Sequence, residues 1–134
     1  MIFVDCLYSG DNTTDGLALR EQQRRCHKLA QEFGWMIHRD MFDPTLTPDT
    51  ALDDRSGIQQ LLEDANNHCI DVLMVTSLDR IAADAASVAA VLRQLQDNGV
   101  ALYDIQFASL RLPQSKTLMQ FVSEMVDAAR KERE

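Results

Sequence analysis

Asp79 and Arg80 stand just past a short apolar run, Ile70-Asp71-Val72-Leu73-Met74-Val75. The run is rich in β-branched residues and gives way at once to polar ones, so it reads as a strand buried on both faces in the middle of a parallel sheet. In open α/β sheets, ligands gather outside the C-terminal ends of the strands. An acid and a base thus stand where chemistry is expected. An isolated Asp-Arg pair is otherwise a surface ion pair of little energetic weight, so the surrounding elements decide its meaning.

Those elements alternate along the chain. Residues 2–8 form a first strand, apolar except for Asp5, and 9–16 form a polar loop of turn-forming residues. A helix follows over 17–33, with Cys26, Leu29, Ala30 and Phe33 at core-facing spacing and Gly34 closing it. A second strand lies within 35–42. Residues 43–55, with two prolines and four aspartates, are an extended loop. A helix begins near Ser56 with Ile58, Leu61, Leu62 and Ala65 as its stripe, and the central strand then arrives. Asp84 is placed to cap a third helix, whose inner face is Val88, Val91, Leu92 and Leu95 and which Gly99 closes. A fourth strand spans 100–105. A connection through Pro113 leads to a last helix at about 115–132, where Leu118, Phe121, Val122, Met125, Val126 and Ala129 fall on one face. Strands alternating with helices predict an α/β fold with parallel strands and right-handed crossovers.

Composition narrows the class. At 134 residues, 46% hydrophobic and 25% charged, the chain is one globular domain with room for a core. No apolar run is long enough to span a membrane, and the N-terminus lacks the marks of a signal peptide. Cys6, Cys26 and Cys69 have no paired spacing and read as free thiols in a reducing compartment, which places the chain in the cytoplasm. His27, His38 and His68 show no ligand spacing and read as surface residues, so neither metal nor cofactor is expected. A net charge of −8 excludes a general binder of nucleic acid. Any DNA contact has to be local or supplied by an additional domain.

Three segments carry a resemblance. Residues 18–35, A-L-R-E-Q-Q-R-R-C-H-K-L-A-Q-E-F-G-W, are similar to the S-L-x-x-Q-x-x-x-C helix ending in G-W of the serine recombinases, the resolvase/invertase family. Residues 54–65, D-R-S-G-I-Q-Q-L-L-E-D-A, resemble that family's R-P-G-L-x-x-L-L segment, and 70–84 resemble its D-V-L-V-V-x-K-L-D-R-L-x-R-S stretch. The resemblance covers nearly the whole chain. It implies a resolvase-like three-layer catalytic domain over 1–134, with a mostly parallel central sheet, flanking helices and a long C-terminal helix through which two copies pair. The DNA-binding region that family members add is not found in these residues.

The implied chemistry is DNA cleavage by a serine hydroxyl, giving a 5′-phosphoserine link and a free 3′-OH, followed by strand exchange and reversal. A serine needs activation at neutral pH, and the charge spread over the phosphoryl oxygens calls for arginines. Ser9 matches the nucleophile, Arg55 the R-P-G arginine, Asp79 and Arg80 the acid and base of the loop, Gln22 the helix glutamine near the site, and Asp43 the acid after the second strand. Departures are plain. Leu7 stands where the family has an arginine two residues before the serine. Ala83 and Asp84 replace the second arginine and the serine of the loop, and Thr47-Pro48 replaces a Ser-Gly pair. In the other ungapped register Tyr8 replaces the serine and Cys6 the arginine. On either alignment two arginines are missing, and one lost transition-state donor costs ~10²–10³ in rate.

The expectation is a serine recombinase catalytic domain with weak or absent strand cleavage, acting on DNA and dimerising through the C-terminal helix. The alternative is a non-catalytic resolvase-fold protein that serves as a regulatory or oligomerisation partner. A receiver-like signalling domain shares the alternation, but needs a phosphoacceptor Asp where this central strand ends in Thr76-Ser77, and a later Lys that is absent.

Overall fold

The computed structural model describes residues 1–10, 15–43, 52–82 and 84–111. Ala83 and the expected C-terminal helix lie outside them. The described elements are β1 (Phe3–Ser9), α1 (Asp15–Phe33), β2 (Met36–Asp43), α2 (Ser56–Asn66), β3 (Val72–Val75), α3 (Ala85–Asp97), β4 (Ala101–Asp104) and β5 (Ser109–Arg111), with single 3-10 turns at Leu52–Asp54 and Leu78–Arg80.

The strands form one sheet in the order β2-β1-β3-β4-β5. The first four run parallel, and β5 runs antiparallel against β4. The fold is thus α/β with a mostly parallel sheet, as expected. The antiparallel strand is not in the sequence reading, which placed a plain connection there. The chain reverses through 105–108 with Ala108 at φ 48°, and no glycine marks the turn.

Side-chain alternation along β1 divides the core between two faces. Leu7 joins Met41, Leu73 and Val75 under the stripes of α2 and α3, where Ile58, Leu61, Val88, Val91, Leu92 and Leu95 are buried. Val4, Cys6 and Tyr8 face α1, where they meet Cys26 and Ala30 together with Val72, Met74 and Tyr103. This gives three layers, with β1 and β3 enclosed at the centre.

The three described α-helices end in the same way. Trp35 N–H bonds back to Ala30 O at 2.9 Å, Cys69 N–H to Asp64 O at 2.9 Å and Val100 N–H to Leu95 O at 2.9 Å. These are Schellman closures, which put the preceding residue in the left-handed region. Gly34 and Gly99 hold that position at φ 73°, but α2 has His68 there at φ 57°. The sequence showed the two glycines as helix ends and could not show the histidine. At the other end, Asp84 caps α3 as expected, its Oδ2 accepting from Ser87 N–H at 2.9 Å.

A non-glycine residue in this conformation carries steric strain of roughly 1–2 kcal/mol, part of which glycine returns through the unfolded chain. His68→Gly is therefore expected to raise the stability by about 0.5–1 kcal/mol, measured as a shift of the urea midpoint at unchanged slope.

Candidate active site

The parallel strands deliver their C-terminal ends to one edge of the sheet. Ser9 closes β1, Asp43 closes β2 directly beside it in register, and the turn bearing Asp79 and Arg80 follows β3. Arg55 precedes the first turn of α2.

Ser9 is fully buried. Its main chain is held on both sides by Gln22, whose Oε1 accepts from Ser9 N–H at 3.0 Å and whose Nε2 donates to Ser9 O at 2.7 Å. Gln22 reaches it because it lies on the inward stripe of α1, between Leu19 and Cys26. Ser9 Oγ donates to the carbonyl of Arg80 at 2.5 Å, and Arg80 Nη1 donates back to Ser9 O at 2.8 Å. Nucleophile candidate and loop are thereby joined across the ends of β1 and β3.

Arg55 is 2% exposed, and it donates through three nitrogens. Nε meets Asp43 Oδ2 at 2.9 Å, Nη1 meets Ile81 O at 2.6 Å, and Nη2 meets Arg80 O at 3.1 Å. The Arg80 carbonyl therefore receives both Ser9 and Arg55. The other oxygen of Asp43 accepts from Gly57 N–H at 2.8 Å and so caps the start of α2, where Arg55 offers no side-chain cap. Glycine is required here, since a Cβ on Gly57 would lie 2.7 Å from Asp43 Oδ2.

Asp79 is placed differently. Its Oδ1 accepts from Ser77 Oγ at 2.6 Å, an interaction within its own loop. Leu7 is fully buried in the core beneath α2 and α3. Tyr8, the alternative to Ser9, faces the opposite side of the sheet. Its hydroxyl donates to Asp40 Oδ1 at 2.5 Å, and Asp40 also meets His27 Nε2 at 2.8 Å. Burial, the neighbouring Cys6 and the bond to Asp40 push the Tyr8 phenol upward, so it stays protonated. Structure thus brings together Ser9, Gln22, Arg55 and Arg80 and adds Asp43 as the anchor of Arg55.

With that geometry in place, known proteins can be compared. The family described as "Resolvase, N terminal domain" matches residues 8–134, and the chain belongs to it. Serine recombinases PinR and PinQ of Escherichia coli (strain K12) are each 29% identical over 133 residues, covering 96% of this chain and 62% of theirs. The chain thus spans less than two thirds of the length of these relatives. Among solved structures, the N-terminal catalytic domain of TP901-1 integrase superposes with a TM-score of 0.73 at 19% identity, covering 98% of this chain and 96% of that one. A resolvase family site-specific recombinase from Streptococcus pneumoniae gives 0.74 at 19% identity, covering 99% and 91%. These two establish the likeness of fold.

The Asp43–Gly57 contact yields a test. Alanine is a better helix former than glycine by about 1 kcal/mol, so Gly57→Ala would stabilise α2 if the site were open. Here the methyl group displaces a buried carboxylate from Arg55, and breaking a buried ion pair costs roughly 3–5 kcal/mol. Gly57→Ala is expected to lower stability by about 2 kcal/mol or more in chemical denaturation.

Proposed function

We propose that this chain is a serine recombinase catalytic domain that acts on DNA through Ser9, with strand cleavage weak or absent as the chain stands. The observation that carries this reading is the joint hold of the Arg80 carbonyl on Ser9 Oγ and Arg55 Nη2. It gathers a hydroxyl and two arginines at the sheet edge where ligands bind, yet keeps them turned on the protein itself. Ser9 is buried, and Arg55 spends three nitrogens on Asp43, Ile81 and Arg80.

In the chemistry of the family, serine Oγ bonds to phosphorus, the bond to the 3′ oxygen breaks, and the serine proton leaves as the 3′ oxygen gains one. A backbone carbonyl accepts a hydrogen bond from Ser9 but cannot take its proton. Cleavage thus requires the Leu78–Arg80 turn to move away and free Ser9 and Arg55. At the place of a further arginine stands Leu7, immersed in the core, so transition-state charge lacks that partner. The same observation favours a second reading, a non-catalytic partner that keeps the fold for assembly.

Incubation of the chain with duplex DNA carrying a nicked recombination site, followed by denaturing gels, is expected to show no covalent adduct, or a trace that Ser9→Ala abolishes. A strong adduct lost in Ser9→Ala would overturn the weakened-site account. A trace that survives in Ser9→Ala would remove Ser9 from the reaction.

The partners assigned to the domain are DNA and a second copy of the chain, in the cytoplasm. Free thiols at Cys6, Cys26 and Cys69 agree with a reducing compartment, and no helix among the described residues is long and apolar enough to cross a membrane. Support for pairing lies in the sequence stripe from Leu118 to Ala129. Burying one large apolar side chain contributes roughly 1.5–3 kcal/mol, so two such faces sustain a weak dimer. Sedimentation equilibrium is expected to show a concentration-dependent dimer that Met125→Glu weakens. A strict monomer would refute the pairing.

A further inference from the structure

At the opposite end of β1 from Ser9, a second cluster lies under the same face of the sheet. Residues 4 and 5 of β1 pair with 37 and 39 of β2, so His38 is the extra residue of a β-bulge. A bulge re-aims side chains that regular alternation would send to opposite faces. Here it lets both His38 and Arg39 turn toward Asp5 of β1 and Asp64 of α2. His38 Nδ1 lies 3.0 Å from Asp5 Oδ1 and 3.5 Å from Asp64 Oδ2.

We propose that Asp5, His38 and Asp64 form a binding site for a divalent first-row transition-metal ion, with Zn²⁺ the best fit. One imidazole nitrogen and two carboxylate oxygens, one from each residue, lie within 4.8 Å of one another. Zinc bonds to N and O of about 2.0–2.1 Å place neighbouring ligands of a tetrahedron about 3.3 Å apart. The two His38 distances, 3.0 and 3.5 Å, bracket that value. An imidazole with two carboxylates suits zinc or manganese rather than magnesium, which prefers oxygen alone.

A second observation points the same way. Asp5 is fully buried, yet its Oδ2 has no hydrogen-bond donor among the described residues. A buried polar atom without a partner is costly, and a bound cation would satisfy it.

The surroundings complete the case. Arg39 Nε donates to Asp64 Oδ2 at 2.9 Å and Gln60 Nε2 to Oδ1 at 3.1 Å, fixing the carboxylate as outer partners of metal ligands commonly do. The His38 side chain is 28% exposed and gives an ion a way in. The site lies four residues along β1 from Ser9, about 13 Å at strand rise, and so acts on the fold rather than on the reacting phosphate.

The metal-free chain is titrated with Co²⁺, followed by its visible absorption, and then with Zn²⁺ in competition. A single saturable site with tetrahedral absorption is expected, displaced by Zn²⁺ but not by Mg²⁺. Loss of a partner of a ligand typically costs 10–100-fold in affinity, so His38→Ala and Asp5→Asn should each weaken binding ~10-fold or more, while Cys69→Ser and His27→Ala leave it unchanged. His38→Ala removes a partly exposed side chain, and circular dichroism verifies that it folds. The zinc-loaded protein should also melt higher than the metal-free one, and this gain should vanish in His38→Ala. The proposal is overturned if no saturable binding occurs, if binding survives both His38→Ala and Asp5→Asn, if Cys69→Ser or His27→Ala removes it, or if Mg²⁺ competes as well as Zn²⁺.

Discussion

A buried guanidinium governs the edge of the sheet where the parallel strands end. Taking Arg55 out of water carries a penalty of several kcal/mol, which is offset only by good geometry and full hydrogen bonding. The chain meets that demand with one carboxylate and two carbonyls: Asp43 from the end of β2, and Ile81 and Arg80 from the segment after β3. Three stretches far apart in sequence must converge for Arg55 to be buried at all. Asp43 in turn caps α2, and the Arg80 carbonyl positions the Ser9 hydroxyl. The same interaction therefore sets where the helix begins, how the loop turns and where the serine points.

The two ends of β1 spend polar groups in different ways. The hydrogen bonds that hold Ser9 and Arg55 run between a side chain and backbone or within the Asp43–Arg55 pair, and the result is a closed arrangement. Near Asp5, acids and bases face one another as side chains across a bulge. Leu7 separates them, fully buried on the same face. An arginine at that position would put a second cation into an apolar wall. The leucine is thus consistent with the local packing even as it departs from the family pattern.

Much of this organisation was legible in the sequence. Alternating runs and stripes gave the parallel sheet and its layers, because burial on both faces leaves a continuous apolar strand and burial on one face leaves a helical stripe. Gly34, Gly99 and Asp84 marked helix ends by mechanisms visible in their side chains. What escaped was whatever depends on partners distant in sequence. Arg55 was identified by its neighbours, but its burial rests on carbonyls that no pattern announces. His68 adopts a conformation that glycine would have signalled, β5 follows a turn without glycine, and the bulge at His38 leaves no compositional trace. Asp5 stood out as the one polar residue in an apolar strand, and His38 is exposed as expected, though its partners Asp5 and Asp64, on β1 and α2, could not be read from the sequence.

The strand order has a consequence during synthesis. β1 emerges first, pairs with β2 on one side, and keeps its other edge open until β3 appears. Ribosomes add ~5–20 residues per second, so the roughly 30 residues between the end of β2 and the end of β3 take on the order of 2–6 s. During that interval a two-stranded ribbon carrying Val4, Cys6, Leu7 and Tyr8 is uncovered on its inner side. An exposed apolar edge is a template for wrong pairing. α2, made within this interval, meets the end of β2 through the Gly57 N–H on Asp43, whereas Arg55 gains its full set of partners only once residues 80 and 81 have followed β3.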